Sequence, residues 1–247
     1  MERLIQDYSP ITLEQMNSVK LMNRTDTKFV TDTHHLHMLL QMARDDYFVQ
    51  ETNGQRNCQY ETTYFDTPHY DMYLQHQWGH ANRQKIRFRT YVGSGLQFME
   101  VKTKNNHGRT KKKRLAVSDM NLNDAAKSTF LTNYLRYAPS TLIPTMTNSF
   151  RRITLVNKAK TERLTIDTQL RFSNPVSGRT VDMGGLVVIE LKRDAMTHSP
   201  VLHMLRQLHI HPHGFSKYCI GSALTNDTLP VNRFKLKLIE INKITQH

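Results

Sequence analysis

The chain has 247 residues, 38% of them hydrophobic, with 34 Lys and Arg against 21 Asp and Glu and a formal charge of +13; its pI is near 9.8. Apolar residues run along its whole length, which excludes an intrinsically disordered chain. The two cysteines, Cys58 and Cys219, exclude a disulfide framework and point to a reducing compartment. The positive excess favours an anionic partner without choosing among nucleic acid, phosphorylated small molecules, polyanions and acidic membrane surfaces. The opening MERLIQDYSP lacks the apolar core of a signal peptide. No run approaches the roughly 18 apolar residues of a transmembrane helix. The expectation is a soluble, cytoplasmic protein with a single domain over residues 1–247.

In chain order, SPITLEQMNSVKLMN reads as a short helix after a cap, and RTDTKFV as a strand. TDTHHLHMLLQMARDD places Leu36, Leu39, Leu40 and Ala43 at helical spacing behind a Thr/Asp start. CQYETTYFDT is a strand rich in aromatic and β-branched residues, and PHYDMYLQHQ a short helix. NRQKIRFRTY and LQFMEVKTK are strands joined by a glycine turn, and GRTKKKRLAVS is another strand. DAAKSTFLTNYLRYAP reads as a helix; PTMTNSFRRITLVN, ERLTIDTQLRFS and GGLVVIELKR read as strands. SPVLHMLRQLHI is amphipathic, and the tail VNRFKLKLIEINKI fits helix or strand. About eight strands with interspersed helices give an α+β class with a large antiparallel sheet that could close into a barrel.

Side chains two apart on a strand share a face. One face of each strand is charged: Arg24, Asp26 and Lys28; Lys85, Arg87 and Arg89; Glu100, Lys102 and Lys104; Lys112 and Arg114; Phe150, Arg152 and Thr154; Arg163, Thr165 and Asp167; Glu190 and Lys192. The opposite faces carry Ile86, Phe88, Met99, Val101, Ile153, Leu155, Leu164, Ile166, Val187, Ile189 and Leu191. The ordinary reading is a half-solvated sheet with its charges in water. Solvent faces favour Thr and mixed polar residues, however, and these are dominated by Arg and Lys. A carboxylate beside cations also recurs, at Glu100/Lys102 and Glu190/Lys192; phosphate oxygens with a divalent ion require such a pairing. The alternative is a barrel turned inside out, with helices covering its apolar outer side, tolerable only if anions and water fill the interior.

The runs RTDTKF, YFDT, NRQKIRFRTY, MEVKTKNNHGRTKKKR, SFRRI, ERLTIDT, VVIELKR and FSKY, in that order, resemble the VTC (vacuolar transporter chaperone) domain, polyphosphate polymerases of the CYTH-like triphosphate tunnel superfamily. The resemblance spans about Arg24 to Gly221. It implies an antiparallel β-barrel tunnel and a metal-dependent polymerase, using Mn²⁺ or Mg²⁺, that moves the terminal phosphate of ATP onto inorganic polyphosphate. The alternatives are a triphosphate hydrolase or nucleotide cyclase of the same fold, or a non-enzymatic polyphosphate binder. It further implies a catalytic set of Lys28, Arg87, Arg89, Lys102, Arg152 and Arg163. Lys112 or a neighbour, Ser216 and Lys217 match its substrate-binding positions, and Glu190 its metal-holding glutamate. The charged stripes add Arg24, Lys104, Arg114 and Lys192 to the substrate set and Glu100 to the metal set. Departures are Arg24-x-Asp26-x-Lys28 in place of Glu-x-Glu-x-Lys, Gly214 in place of a basic residue, and Phe150 in place of a tyrosine. The missing carboxylate suits a polymerase or binder better than a hydrolase.

ATP and polyphosphate or pyrophosphate are the expected partners, with nucleic acid excluded for want of a recognition motif. A membrane-protein partner is compatible with the sequence, and the oligomeric state is not legible in it. The His34–His37 run is expected on a solvent face. His209, His211 and His213 read as a polar loop rather than a metal site, and Trp78 as a packing residue or turn anchor.

Overall fold

Period-two alternation builds most of the molecule. The computed structural model describes residues 1–16, 24–106, 109–194 and 197–245. In chain order the elements are α1 (Glu2–Gln6), β1 (Ser9–Ile11), α2 (Leu13–Met16), β2 (Arg24–Asp32), α3 (Thr33–Ala43), β3 (Tyr47–Gln50), β4 (Asn57–Asp66), α4 (Asp71–Gln77), β5 (Arg83–Tyr91), β6 (Leu96–Lys104) and β7 (Thr110–Val117). There follow α5 (Ala125–Tyr134), β8 (Ile143–Asn157), β9 (Glu162–Ser173), β10 (Thr180–Asp182), β11 (Leu186–Asp194), α6 (Pro200–Gln207), α7 (Lys217–Thr225) and α8 (Lys235–Thr245).

The strands form one 11-stranded sheet with the path β2-β11-β9-β8-β4-β5-β6-β7. Its ladders are antiparallel throughout that path. These are the strands expected from the sequence. The short β1, β3 and β10 are additional: β1 pairs with β3 in parallel, β3 with β8, and β10 with β9. The stretch expected as one short helix from Ser9 divides into β1 and α2, and its remainder, 17–23, lies outside the described residues. The ambiguous tail is helical, as α8. Asp32, Asp124 and Ser216 cap α3, α5 and α7 by accepting from the backbone N–H three residues on.

The apolar stripes pack under helices. Ile153, Leu155, Leu164, Ile166, Val187, Ile189 and Leu191 meet Leu36, Leu39 and Leu40 of α3 and Val201 and Leu205 of α6. Ile86, Phe88, Met99 and Val101 meet Leu131 of α5. The charged stripes lie on the other side, and there the sheet curls on itself. One cavity is lined by Asp26 and Lys28 of β2, at one end of the path, and by Arg83 and Lys104 of β5 and β6, near the other. Lys102 on β6 also feels the charge of Glu190 on β11. Between β2 and β7 no ladder joins the described residues. Helix α7 plugs the concave side at one end. Its Gly221 approaches so closely that an added Cβ would lie 2.7 Å from the Phe172 ring and 3.0 Å from Met146 Sδ.

His34 and His37 are exposed, as expected of a solvent face. Trp78 is exposed too and is not a packing residue; it ends α4, its N–H donating to Leu74 O at 2.8 Å. No group of three or more His, Cys, Asp or Glu suited to a metal occurs among the described residues, the 209–213 loop included. No described helix is long and apolar enough to cross a membrane.

Candidate functional site: a cation-lined barrel interior

Strand register converts the charged stripes into cross-strand pairs. Arg87 lies opposite Glu100, and Glu100 opposite Arg114. Lys28 faces Glu190 and Asp26 faces Lys192, while Arg152 faces Asp167. The pairs are made. Arg87 Nε donates to Glu100 Oε2 at 2.7 Å, and Lys112 Nζ to Glu100 Oε1 at 3.0 Å. Arg152 grips Asp167 with two nitrogens at 2.6 and 2.8 Å, the bidentate fork that suits guanidinium and carboxylate. Lys217, at the start of α7, donates to the same carboxylate.

These groups are deeply placed. Glu100 is 1% exposed, Asp167 3%, and Arg87 and Arg89 7% each. Burial alone raises a carboxyl pKa. In Glu100 that effect is overcome by Arg87 and then Lys112, Arg89 and Lys102, which pull it down to about 2. In Asp167, Arg152 and Lys217 overcome burial and hold the carboxyl far below the usual range. In Glu190 the opposing cations are Lys28, Lys192 and Arg152. The cations crowd one another. Arg87, burial and Arg89 push the Lys102 ammonium well below its usual pKa, and burial, Arg87 and Arg152 bring Arg89 to about 10. A site that depresses the pKa values of its own cations favours a bound anion, which relieves the repulsion.

Aromatic rings floor this cluster. Tyr60 and Phe150 stack with centroids 5.3 Å apart, and the guanidinium groups of Arg89 and Arg152 stand 5.2–5.7 Å from both rings. Lys217 Nζ lies 4.5 Å from the Phe150 centroid.

The other expected site residues are placed as follows. Lys28 Nζ donates to Phe215 O at 2.7 Å. Ser216 Oγ caps α7 and accepts from Lys85 Nζ at 2.8 Å. Lys192 Nζ lies 2.7 Å from both Asp26 Oδ2 and Glu190 Oε1. Arg163 shares the face of Asp167 and pairs in register with Lys192. Lys104 lines the cavity at the mouth. Lys112 and Arg114 are exposed on the edge strand β7, Arg114 lying 4.9 Å from the Phe98 ring. The side chain of Arg24 lies outside the described part. Sequence reasoning left three members unassigned: Lys85, Asp167 and Tyr64, whose hydroxyl accepts from Arg87 Nη1 at 3.4 Å. Lys85 and Asp167 were visible in the charged stripes; Tyr64 opens the YFDT run but received no role there.

The VTC domain model matches residues 23–226. The chain belongs to the VTC domain family. No protein of curated function matches it. Among solved structures, this VTC domain is similar to a proposed adenylate cyclase from Bacillus halodurans (16% identity, TM-score 0.51, covering 79% of this chain and 96% of that one). A proposed adenylyl cyclase from Hippeastrum with a dominant triphosphatase activity is 12% identical, with a TM-score of 0.49 and coverage of 85% and 99%. A proposed adenylate cyclase from Vibrio parahaemolyticus is 14% identical, with a TM-score of 0.46 and coverage of 81% and 99%. The first of these likenesses shows a shared fold.

Proposed function

We propose that this VTC domain is a metal-dependent phosphotransferase that lengthens inorganic polyphosphate from ATP. The observation that carries the reading is the inward excess of cations. Lys28, Lys85, Arg87, Arg89, Lys102, Arg152, Lys192 and Lys217 stand against Asp26, Glu100, Asp167 and Glu190, and each of these carboxylates is already ion-paired. A linear phosphate chain is a flexible polyanion of the sign that such a lining attracts. The sequence has no glycine-rich P-loop, so ATP phosphates would be held by side chains. The protein's contribution is then positioning and charge neutralisation, with no covalent enzyme intermediate.

Among the carboxylates, Asp26 and Glu190 fit a divalent ion: both oxygens converge on one cation, the Lys192 ammonium. Two carboxylates with phosphate oxygens and water is a donor set that Mg²⁺ and Mn²⁺ use. When bound, the ion would neutralise charge on the transferring phosphoryl group. Glu100 fits less well, since both its oxygens are held in ion pairs.

Purified protein with ATP and Mn²⁺, its products resolved by chain length on a gel, tests the reading. The expected result is long anionic product with release of ADP. Release of ADP and orthophosphate alone would make the protein a hydrolase. Binding without turnover would make it a polyphosphate receptor.

Lys217 gives this site a pH signature. Burial, Arg152 and Lys28 outweigh Asp167 and bring its ammonium down to about 8. Below that pH Lys217 is charged and attracts phosphate; above it the unliganded amine is neutral and a ligand must restore the proton. Affinity for tripolyphosphate should therefore fall as pH rises above 8, by at most about tenfold per unit. Lys217→Arg should flatten the profile. An equally steep fall in that variant would exclude Lys217 as the titrating group.

A further inference from the structure

The site opens into a cavity of about 310 Å³ that Lys28, Asp26, Lys104 and Ser216 line together with two residues beyond the family match, Phe234 and Lys237. Its walls come from β2, α4, β5 and β6, the loop before α7, and α8. Helix α8, Lys235–Thr245, lies wholly beyond the matched residues 23–226. Two ammonium groups grip successive carbonyls of the loop. Lys237 Nζ donates to Gly214 O at 2.8 Å, and Lys28 Nζ to Phe215 O at 2.7 Å. Both line the cavity, with Arg83 and Lys104. The absence of a side chain at residue 214 leaves room for this: a Cβ on Gly214 would stand 2.8 Å from Lys237 Nζ.

Asp26 is the carboxylate in this lining, and it is paired with Lys192. Glu240, one helical turn beyond Lys237, is turned to His213 at 2.8 Å. His76, also in the wall, is kept neutral by burial together with Lys85, Arg83, Arg233 and Lys237, its pKa falling to about 2. The mouth is thus a pocket of excess positive charge, continuous with the barrel interior through Lys28. Its volume lies at the small end of ligand clefts.

We propose that Lys237 of the C-terminal helix extends the phosphate-binding lining through this cavity and holds the phosphates of a linear chain where it leaves the barrel. The inference rests on the phosphate-chain reading above. Lys237 then acts on chains long enough to pass beyond the interior and leaves short ones untouched.

The test is a calorimetric titration of the full chain with tripolyphosphate and with a longer linear polyphosphate of defined length. It compares wild type, Lys237→Met and Lys235→Ala, the last removing the same charge from an exposed position of the same helix. Lys237→Met should weaken the longer chain about tenfold and tripolyphosphate by less than about twofold, while Lys235→Ala changes neither. Equal weakening of both ligands by Lys237→Met, no weakening of either, or the same loss in Lys235→Ala would overturn this role of Lys237. A third arm titrates orthophosphate into protein saturated with tripolyphosphate. Loss of that binding alone in Lys237→Met would assign the cavity to free phosphate and overturn the chain reading of it. If wild type binds neither phosphate chain, the phosphate-chain reading itself falls, a result distinct from all the others.

Discussion

Asp167→Asn is expected to destabilise the protein by about 3–5 kcal/mol, read as a fall in the urea midpoint at pH 7. The substitution keeps the shape of the side chain and removes its charge. Arg152 and Lys217 would lose the carboxylate to which both are bonded, leaving the charge of Glu190 to offset them and Lys28. Tripolyphosphate should restore more stability to the variant than it adds to wild type, because phosphate oxygens replace the lost carboxylate. The acid limb should change as well. Asp167 and Glu100 have pKa values lowered by folding, so at low pH the unfolded chain binds more protons, and stability rises with pH there. In wild type the stabilisation is present above the ordinary carboxyl values and is lost as pH falls from about 4.5 towards 2 and below, the range set by Glu100. In Asp167→Asn that loss should be shallower. An unchanged midpoint would mean that Arg152 and Lys217 are satisfied by water, and that the carboxylate is not what holds them in place.

How much of this was legible depends on the length over which a pattern repeats. Strands of nine residues or more, such as β5 and β6, show several turns of alternation, and their two faces could be assigned from sequence. The additional strands have three or four residues, too few for a period to stand out, and β3 reaches β8 only through long-range pairing. Alternation says that two faces differ but not which one curls inward; the ordered motifs decided that, and the helices over Ile86 and Ile189 agree. Within the site, Asp167 was visible as a member of a stripe. Its weight was not, because it comes from Lys217, which lies 50 residues further along the chain. Lys237 was hidden for a similar reason. The tail fits two periods, and its ammonium meets residue 214 from 23 positions further along the chain.

Glu190→Gln separates binding from turnover most sharply under the proposed function. Glu190 bonds Lys192, and Lys192 keeps a second partner in Asp26, so the loss of one charge should leave the fold nearly as stable. Phosphate chains should bind as well as before or more tightly, since a carboxylate that repels them has gone while Lys28, Lys192 and Arg152, which stabilise its charge, remain. Turnover with ATP should fall by at least about tenfold, because one of the two carboxylates that fit the divalent ion no longer carries charge. Arg87→Glu should behave in the opposite way. It sets two carboxylates against each other where Glu100 is buried, and should weaken binding and stability together. Measuring tripolyphosphate affinity, the urea midpoint and kcat on the same preparations tells these outcomes apart. Normal turnover of Glu190→Gln at saturating Mn²⁺ would remove Glu190 from the metal site. Asp26, which shares the Lys192 ammonium, would then be the carboxylate to replace, and a tenfold loss in Asp26→Asn would move the ion to β2.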